Sequence, residues 1–386
     1  MGSRVLLSTD IGSDIDDALS LLTILNSGID LRGVYTVNGD VKSRAYIAKH
    51  MVDLARRKVT IATGESKSLC QRIEPYSHSE ECFIDSSFID DERSVGQANL
   101  KYLPLSRVGI IEDGIKDLIN KLKEERHVIF SIAPLTNLAR VLQNEPSVIG
   151  NIERLYAMGG RFPTGLEHNF RYDQDAAKFV LDSNIPITVV SANLCSKYRL
   201  PVELLKQLNS DVGKYVRSMA FGFLGIETAS RFRRPLEEFD GYSLDQILEE
   251  VRARGKNLSS RELKELERRK QNLVVNLNDA YSGAFYEEKY FEQFRDLINL
   301  LKHNSGVFSY AYSAIKILES LPPIDVSIAD VYVPYCFLYP EKLKVERANI
   351  DCSIDGVTRL NQGERHDIVV DLDLDHFREF VQTNLK

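Results

Sequence analysis

Short apolar runs and longer helical stretches alternate along the first half of the chain. The apolar runs are typical of buried strands, and the longer stretches repeat with the period of a helix. Strands are predicted at residues 4–7, 31–37, 59–63, 127–133, 154–157 and 186–191. Helices are predicted at residues 18–25, 42–57, 111–123, 173–181 and from residue 134 onward. Repeated strand–helix units predict an α/β fold with a mainly parallel central sheet and helices on both faces.

The second half of the chain follows a different pattern. Within the first half, residues 74–106 lack a clear period and are predicted to form a long loop region. Residues 243–271 carry dense charge of both signs, which indicates a solvated helical face rather than a basic patch. Residues 344–371 alternate between apolar and polar positions around Asp355-Gly356, a pattern that predicts a C-terminal β-hairpin.

Four aspartates follow the first predicted strand, at positions Asp10, Asp14, Asp16 and Asp17. In an open α/β sheet, ligands bind where strands end and helices begin. Carboxylates this close repel one another unless a cation or a shared proton holds them together. Because no His or Cys is interleaved, a hard cation such as Ca²⁺ or Mg²⁺ is favoured over zinc. The alternative is a solvated acidic turn that caps a helix, but four acids between two apolar runs favour a metal site.

Other chemically distinctive segments also fall where predicted strands end or helices begin. They are Asn38-Gly39-Asp40, Ala133 to Asn137, Met158-Gly159-Gly160 with Glu167-His168-Asn169, and the Asp330 segment. Each has an ordinary structural explanation as a turn, a helix start or an N-cap. The two glycines after Met158 would also allow a ligand to approach the backbone closely. Together the segments predict one site along a single edge of the sheet.

Composition narrows the class of protein. Of 386 residues, 43% are hydrophobic and 27% charged, which is ordinary for a soluble globular protein. The formal charge of −7 argues against a general nucleic-acid binder, which needs a basic surface. The five cysteines are scattered without a Cys-x-x-Cys pair, which indicates reduced thiols. With no apolar run long enough for a membrane helix and no signal-peptide pattern, we expect a cytoplasmic protein.

The aspartate-rich opening segment resembles the N-terminal motif of the inosine-uridine-preferring nucleoside hydrolases, which are calcium-dependent nucleoside N-ribohydrolases. Segments similar to others of that family follow in the same order, among them Pro134-Leu135-Thr136-Asn137 and Met158-Gly159-Gly160. The resemblance implies one nucleoside hydrolase-like domain over residues 1–386, with an enlarged helical cap inserted at residues 225–300. It also implies a small-molecule nucleoside substrate and a homodimer or homotetramer.

The resemblance further implies a role for each matching residue. Ca²⁺ would be bound by Asp10, Asp17, Asp330 and the backbone carbonyl of Thr136. Asp10 would also act as general base on a metal-bound water. The substrate contacts implied in the same way are Asp16, Asp40, Met158, Glu167, His168 and Asn169.

The chain departs from the family mainly on the side of the site that faces the base. Ala329 stands where many members have a His that helps to protonate the leaving base, and Asp40 stands where they have Asn. The opening motif is longer by two residues, so Asp14 has no clear counterpart. These departures suggest a modified or unusual nucleoside, with His168, Asp279, Tyr281 and Tyr332 as candidates for the acid that protonates the leaving base. Two alternatives stay open: a nucleoside-binding protein with weakened catalysis, and another metal-dependent hydrolase such as a phosphatase with an aspartate nucleophile.

Overall fold

The structure is a computed structural model, and it describes residues 3–69, 94–95, 98–99, 105–220 and 325–386. The chain divides into two compact units, Met1–Arg217 with Val326–Lys386, and Ser218–Asp325. The sheet and the elements named below belong to the first unit. The predicted cap at residues 225–300 lies outside the described residues, so the single-domain assignment with its insertion stays a prediction. Among the described residues, no helix has the length and apolar character needed to cross a membrane.

The described strands and helices follow the predicted alternation. The strands are β1 (Arg4–Thr9), β2 (Asp30–Thr36), β3 (Thr60–Thr63), β4 (Ser94–Val95), β5 (Ala98–Asn99), β6 (Ile110–Ile111), β7 (His127–Ser131), β8 (Ile152–Met158), β9 (Thr164–Gly165), β10 (Ile187–Val190), β11 (Leu343–Cys352) and β12 (Thr358–Leu372). The helices are α1 (Ile15–Asn26), α2 (Val41–Leu54), α3 (Gly114–Glu124), α4 (Thr136–Asn144), α5 (His168–Tyr172), α6 (Gln174–Leu181), α7 (Ala192–Cys195), α8 (Val202–Leu205), α9 (Tyr332–Leu338) and α10 (Leu374–Asn384). Short 3₁₀ turns occupy Pro146–Asn151, Ala329–Val331 and Pro340–Lys342.

The central sheet is mainly parallel, as predicted. Its strand order is β11-β12-β10-β8-β7-β1-β2-β3-β6, and β9 pairs with β12. The strands from β12 to β6 pair in parallel, whereas β11 and β9 run antiparallel to β12. Ser8 of β1 lies beside Ser131 of β7, and Thr9 lies beside Thr36 of β2. The carboxyl ends of the three middle strands are therefore level, and the segments that follow them share one edge of the sheet.

Helices cover both faces of the sheet, because alternate residues of the buried strands point to opposite sides. On one face, Leu6, Ile129 and Leu155 belong to a core cluster that also contains residues of α3, α4 and α6. On the other face, the ring of Phe337 in α9 lies 5.3 Å from that of Phe130 and 5.8 Å from that of Tyr156, centroid to centroid. Burial of both faces explains why the strands read as nearly continuous apolar runs.

The C-terminal hairpin is confirmed. β11 and β12 pair antiparallel, and Gly356 in the connecting turn has φ of +78°. A positive φ is readily adopted by glycine, which explains the Asp-Gly turn that the sequence pattern indicated. The sequence pattern did not indicate the shortest elements, such as β6, β9 and α5, because two to five residues are too few to establish a period.

Candidate active site

Two segments far apart in the chain bring three aspartates together at the carboxyl end of the sheet. Asp16 and Asp17 lie in the first turn of α1, and Asp330 lies in the 3₁₀ turn Ala329–Val331. Each offers a carboxylate oxygen, and these oxygens all lie within 4.8 Å of one another. The side chains are 3% to 8% exposed. Ser20 of α1 donates a hydrogen bond of 3.0 Å to the carbonyl of Asp330, and so ties the two segments together.

Burial and mutual repulsion dominate the electrostatics of this cluster. Burial is the largest cause of the raised pKa of Asp16, Asp17 and Asp330. The charges of neighbouring aspartates, including Asp10 and Asp14, raise the pKa values further. In the part of the chain that the structure describes, no Lys, Arg or His forms an ion pair with these carboxylates. A buried group of oxygen donors with this excess of negative charge fits a hard divalent cation.

Asp10 lies next to the cluster but is not one of its three closest members. It follows β1 directly, is 6% exposed, and its charge raises the pKa of the other three acids. None of the described residues donates a hydrogen bond to its carboxylate. The closest group thus contains Asp16, which the resemblance places on the sugar, while Asp10 stands beside it. The separate roles of Asp10 and Asp16 stay predictions.

Thr9 at the end of β1 and Arg44 in α2 form hydrogen bonds with Asp17 and with the loop after β1. The hydroxyl of Thr9 donates to Oδ1 of Asp17 and accepts a hydrogen bond of 3.1 Å from the backbone N–H of Ile11. The guanidinium of Arg44 donates to the backbone carbonyls of Asp10 and Ile11. The sequence reasoning overlooked Arg44. Its position three, four and seven residues before the buried positions 47, 48 and 51 could have revealed that it faces inward.

Thr136 and Asp173 connect the loops after β3 and β7. The hydroxyl of Thr136 donates a hydrogen bond of 2.6 Å to Oδ2 of Asp173. The same oxygen accepts a bond of 2.7 Å from the backbone N–H of Leu69, while Oδ1 caps α6 at Ala176. Both Thr136 and Asp173 are buried. The predicted role of the Thr136 carbonyl as a metal ligand stays a prediction.

Asn137 ties three strand ends to one another. Its amide nitrogen donates to the hydroxyl of Ser8 and to the carbonyl of Thr36, both at 3.2 Å. Its amide oxygen accepts a hydrogen bond of 2.8 Å from the backbone N–H of Glu65. These hydrogen bonds give Asn137 of the Pro-Leu-Thr-Asn segment a structural role.

Glu167, Asn169 and Met158 form one hydrogen-bonded group at the end of β8. Oε1 of Glu167 accepts from the backbone N–H of Asn169 at 2.8 Å. Oε2 accepts from the N–H groups of Gly160 at 3.0 Å and Phe170 at 3.1 Å. The amide of Asn169 donates to the carbonyl of Met158 at 3.3 Å. Burial raises the pKa of Glu167, and the backbone N–H groups act in the opposite direction.

The glycine pair after Met158 has a packing explanation. A Cβ on Gly159 would lie 2.2 Å from a ring carbon of Phe170, so this position admits no larger residue. Gly160 has φ of +72°, which favours glycine. The structure therefore shows the backbone of Gly159 packed closely against the ring of Phe170.

Asp40 and Asp14 both stand at helix N-termini. Oδ1 of Asp40 accepts a hydrogen bond of 3.0 Å from the backbone N–H of Ser43 and so caps α2. Asp14 occupies the N-cap position of α1 without a side-chain capping bond, and its charge raises the pKa of Asp16 and Asp330. Asp330 itself is not an N-cap, since Ile328 occupies that position for the 3₁₀ turn and Val331 occupies it for α9. The ordinary explanation for Asp330 as an N-cap is therefore wrong.

The candidate acids for the leaving base are placed very differently. His168 is exposed at the start of α5. Tyr332 is fully buried, its ring centroid lies 4.1 Å from that of Phe377, and burial raises its pKa. Asp279 and Tyr281 lie outside the described residues. Tyr332 thus has the surroundings of a core residue.

Comparison with known proteins agrees with this fold. The family model described as inosine-uridine preferring nucleoside hydrolase matches residues 5–379. A non-specific ribonucleoside hydrolase, RihC of Salmonella paratyphi A, is 28% identical over 228 residues, which cover 56% of this chain and 70% of the relative. A plant nucleoside hydrolase, PpNRh1, has the same fold with a TM-score of 0.61 at 16% identity, covering 99% of this chain and 98% of its own. An inosine-uridine preferring nucleoside hydrolase from Bacillus anthracis gives 0.56 at 16% identity, covering 100% and 99%.

The protein thus has an α/β fold with a mainly parallel sheet and an acidic cluster that could hold a metal ion. Because the family model spans nearly the whole chain, the protein belongs to the inosine-uridine preferring nucleoside hydrolase family. Members of this family are enzymes that hydrolyse the N-glycosidic bond of ribonucleosides. The family assignment made from the opening aspartate motif is confirmed.

Proposed function

We propose that this enzyme is a Ca²⁺-dependent nucleoside N-ribohydrolase in which Asp10 is the general base and an unusual or modified nucleoside is the substrate. The observation that carries the proposal is the buried cluster of Asp16, Asp17 and Asp330, with the carboxylate of Asp10 beside it. Three acids whose pKa values are raised by burial and by neighbouring aspartates would be costly to bury in ionised form without a cation. Family membership supports a ribonucleoside as the compound that is cleaved.

The donor set supports Ca²⁺ as the cation. All the candidate ligands are oxygens, since the described cluster contains no His or Cys. Ca²⁺ accepts six to eight oxygen ligands in flexible geometry, and carboxylates with a backbone carbonyl such as that of Thr136 would supply several of them. When bound, the cation would lower the pKa of a water molecule and orient it for attack.

The chain's own residues would then carry the reaction. Asp10 accepts no hydrogen bond from the described residues, so its carboxylate is available to take a proton from the attacking water. Cleavage of an N-glycosidic bond passes through an oxocarbenium-like sugar cation. The surrounding carboxylates stabilise that positive charge because they are held in place in a buried site. Glu167 and Asn169, fixed by hydrogen bonds at the end of β8, would contact the ribose hydroxyls.

The side of the site that faces the base supports a substrate other than the commonest nucleosides. Ala329 precedes Asp330 in the 3₁₀ turn and carries no group that can donate a proton. The family's usual route for protonating the leaving base is therefore closed at this position. A nucleoside whose base can leave without being protonated from position 329 fits such a site better.

The test is a reducing-sugar assay with the full-length protein. Common and modified nucleosides are supplied with Ca²⁺, with a chelator, and with the chelator followed by excess Ca²⁺. We expect ribose release that the chelator abolishes and Ca²⁺ restores. Asp10→Asn should lower kcat by at least about 10²-fold, the size typical of a lost general base, while the exposed-site control Asp375→Asn retains activity. Full turnover by Asp10→Asn would refute the assignment of the base.

A second function is favoured by one observation, the alanine at position 329. A protein that keeps the ribose and metal residues but lacks an acid for the leaving base could bind nucleosides without cleaving them. Calorimetric titration with ribose and with nucleosides separates the two, because binding without release of ribose for any substrate favours the binding protein. The predicted homodimer or homotetramer and the cytoplasmic location belong to the same proposal, and light scattering of the purified protein tests the former.

A further inference from the structure

Arg44 is a buried cation close to the acidic cluster. Its side chain is 6% exposed, and no other Lys or Arg in the described part of the chain is as deeply buried. It lies in the first turns of α2, and its own backbone N–H is bonded to the carbonyl of Asp40 at 3.2 Å. A guanidinium is rarely buried without a specific set of acceptors. The partners of this one therefore indicate what it does.

The guanidinium binds backbone carbonyls from two loops. Nη1 donates to the carbonyl of Asp10 and, at 3.1 Å, to that of Ile11, both in the loop after β1. Nε donates at 2.7 Å to the carbonyl of Asn38, in the loop after β2. Because β1 and β2 are neighbours in the sheet, one side chain joins the two loops that border the site.

The choice of carbonyls leaves the carboxylates available. None of the hydrogen bonds of Arg44 goes to an aspartate side chain, although its charge is close enough to lower the pKa of Asp17. A direct ion pair with Asp10 would occupy the oxygens that the proposed reaction needs. Binding to the carbonyls instead holds the backbone of Asp10 and Ile11 without an ion pair to the Asp10 carboxylate.

We propose that Arg44 is a positioning residue, which holds the backbone of Asp10 and Ile11 so that the Asp10 carboxylate faces the metal cluster. The inference rests on the proposed function, since it assigns the purpose of Arg44 to the site described above. A planar guanidinium can donate to several acceptors in fixed directions, whereas the ammonium of lysine is a compact point charge. Arg44→Lys should therefore fail to replace the arginine.

The chain offers a matched control in Arg57. This partly buried arginine also donates to two backbone carbonyls, those of Leu25 at 3.3 Å and Ile29 at 3.2 Å, outside the acidic cluster. A purely structural role would lower stability at either position without a selective loss of catalysis. A positioning role predicts a difference between them.

The first measurement compares kcat and KM of the full-length protein with Arg44→Lys, Arg44→Gln, Arg57→Lys and Arg57→Gln. We expect the Arg44 variants to lose about 10²-fold in kcat, the cost typical of a catalytic group displaced by about 1 Å, with a much smaller change in KM. The Arg57 variants should keep kcat even if their melting temperatures fall. Wild-type kcat in both Arg44 variants would overturn the proposal. So would equal losses of kcat in Arg44 and Arg57 variants of equal melting temperature.

The second measurement is binding of Ca²⁺ by calorimetry, which needs no substrate. We expect Arg44→Gln to bind Ca²⁺ about tenfold more weakly, because Asp10 is no longer held towards the cluster, and the Arg57 variants to bind like the wild type. If the wild type cleaves no nucleoside, the proposed function fails while this arm still tests Arg44. Unchanged Ca²⁺ affinity in folded Arg44→Gln, together with absent turnover in the wild type, would overturn the positioning role.

Discussion

Neutralising Asp330 should stabilise the metal-free protein while removing its response to Ca²⁺. In the substitution Asp330→Asn, the shape of the side chain is kept and one negative charge is removed from the cluster. The carboxylate oxygens lie within 4.8 Å of one another, and at that distance and an effective dielectric constant of about 20, two unit charges repel by about 3.5 kcal/mol. Asp330 has two such neighbours, Asp16 and Asp17, so with all three carboxylates ionised the substitution removes about 7 kcal/mol of repulsion.

Protonation lets the wild-type cluster escape part of this repulsion, and this makes the effect depend on pH. The pKa values of Asp16, Asp17 and Asp330 are raised in the folded protein above their ordinary value of 3.8. The folded state therefore holds protons that the unfolded state has already released, and stability is lost as the pH rises above the unfolded value and through the folded pKa values. Asp330→Asn removes one group that takes part in this loss of stability. The stability of the variant relative to the wild type should therefore grow by at most about 1.4 kcal/mol for each pH unit in that range.

Urea unfolding followed by far-ultraviolet circular dichroism measures this effect at several pH values between about 5 and 8, where folded proteins are usually most stable. With chelator present, Asp330→Asn should be more stable than the wild type, increasingly so at higher pH. With Ca²⁺ present, the wild type should gain stability, and more at higher pH because metal binding displaces protons. The variant should gain little. The control Asp375→Asn, whose side chain is 93% exposed, should behave as the wild type. The reasoning is refuted if Asp330→Asn is no more stable without metal and still responds fully to Ca²⁺.

Two further predictions concern the residues that hold the edge of the site. Asn137→Ala removes three hydrogen bonds and should lower the free energy of unfolding by about 3 kcal/mol, against about 1 kcal/mol for the control Asn151→Ala, which loses one; equal losses in urea unfolding would contradict the bridging role of Asn137. Glu167→Gln replaces an acceptor oxygen by a donor beside backbone N–H groups and should cost about 1–3 kcal/mol. The control Glu125→Gln, at a half-buried position that loses an ion pair with Arg4, should cost less. An unchanged urea midpoint for Glu167→Gln would show that the capping bonds do not matter.

Much of the fold could be predicted because local patterns of apolar and turn-forming residues determine its strands and turns. The runs that became β1 and β7 are apolar at consecutive positions, which is typical of strands buried on both faces. The Asp355-Gly356 turn reflects the backbone preference of a single glycine. β6 and α5 are too short for a repeating pattern to be recognised, so the sequence does not predict them.

The sequence by itself also determined the place of the site. Acidic and amide side chains follow the strand ends, and the parallel order of the sheet brings those ends to one edge. The opening motif also indicated the family, because its acidic residues lie close together in the chain. Position in the chain does not, however, state which side chains touch.

Only the tertiary structure decided those contacts. Asp330 meets Asp16 and Asp17 because its 3₁₀ turn packs on α1, where Ser20 and the Asp330 carbonyl, 310 positions apart, are hydrogen-bonded. The inward direction of Arg44 likewise depends on the loop after β1 presenting its carbonyls. Such contacts arise from the packing of segments that are far apart in the chain, so no local pattern encodes them. Folding brings the charges together, and burial then makes their repulsion large enough to favour a bound cation.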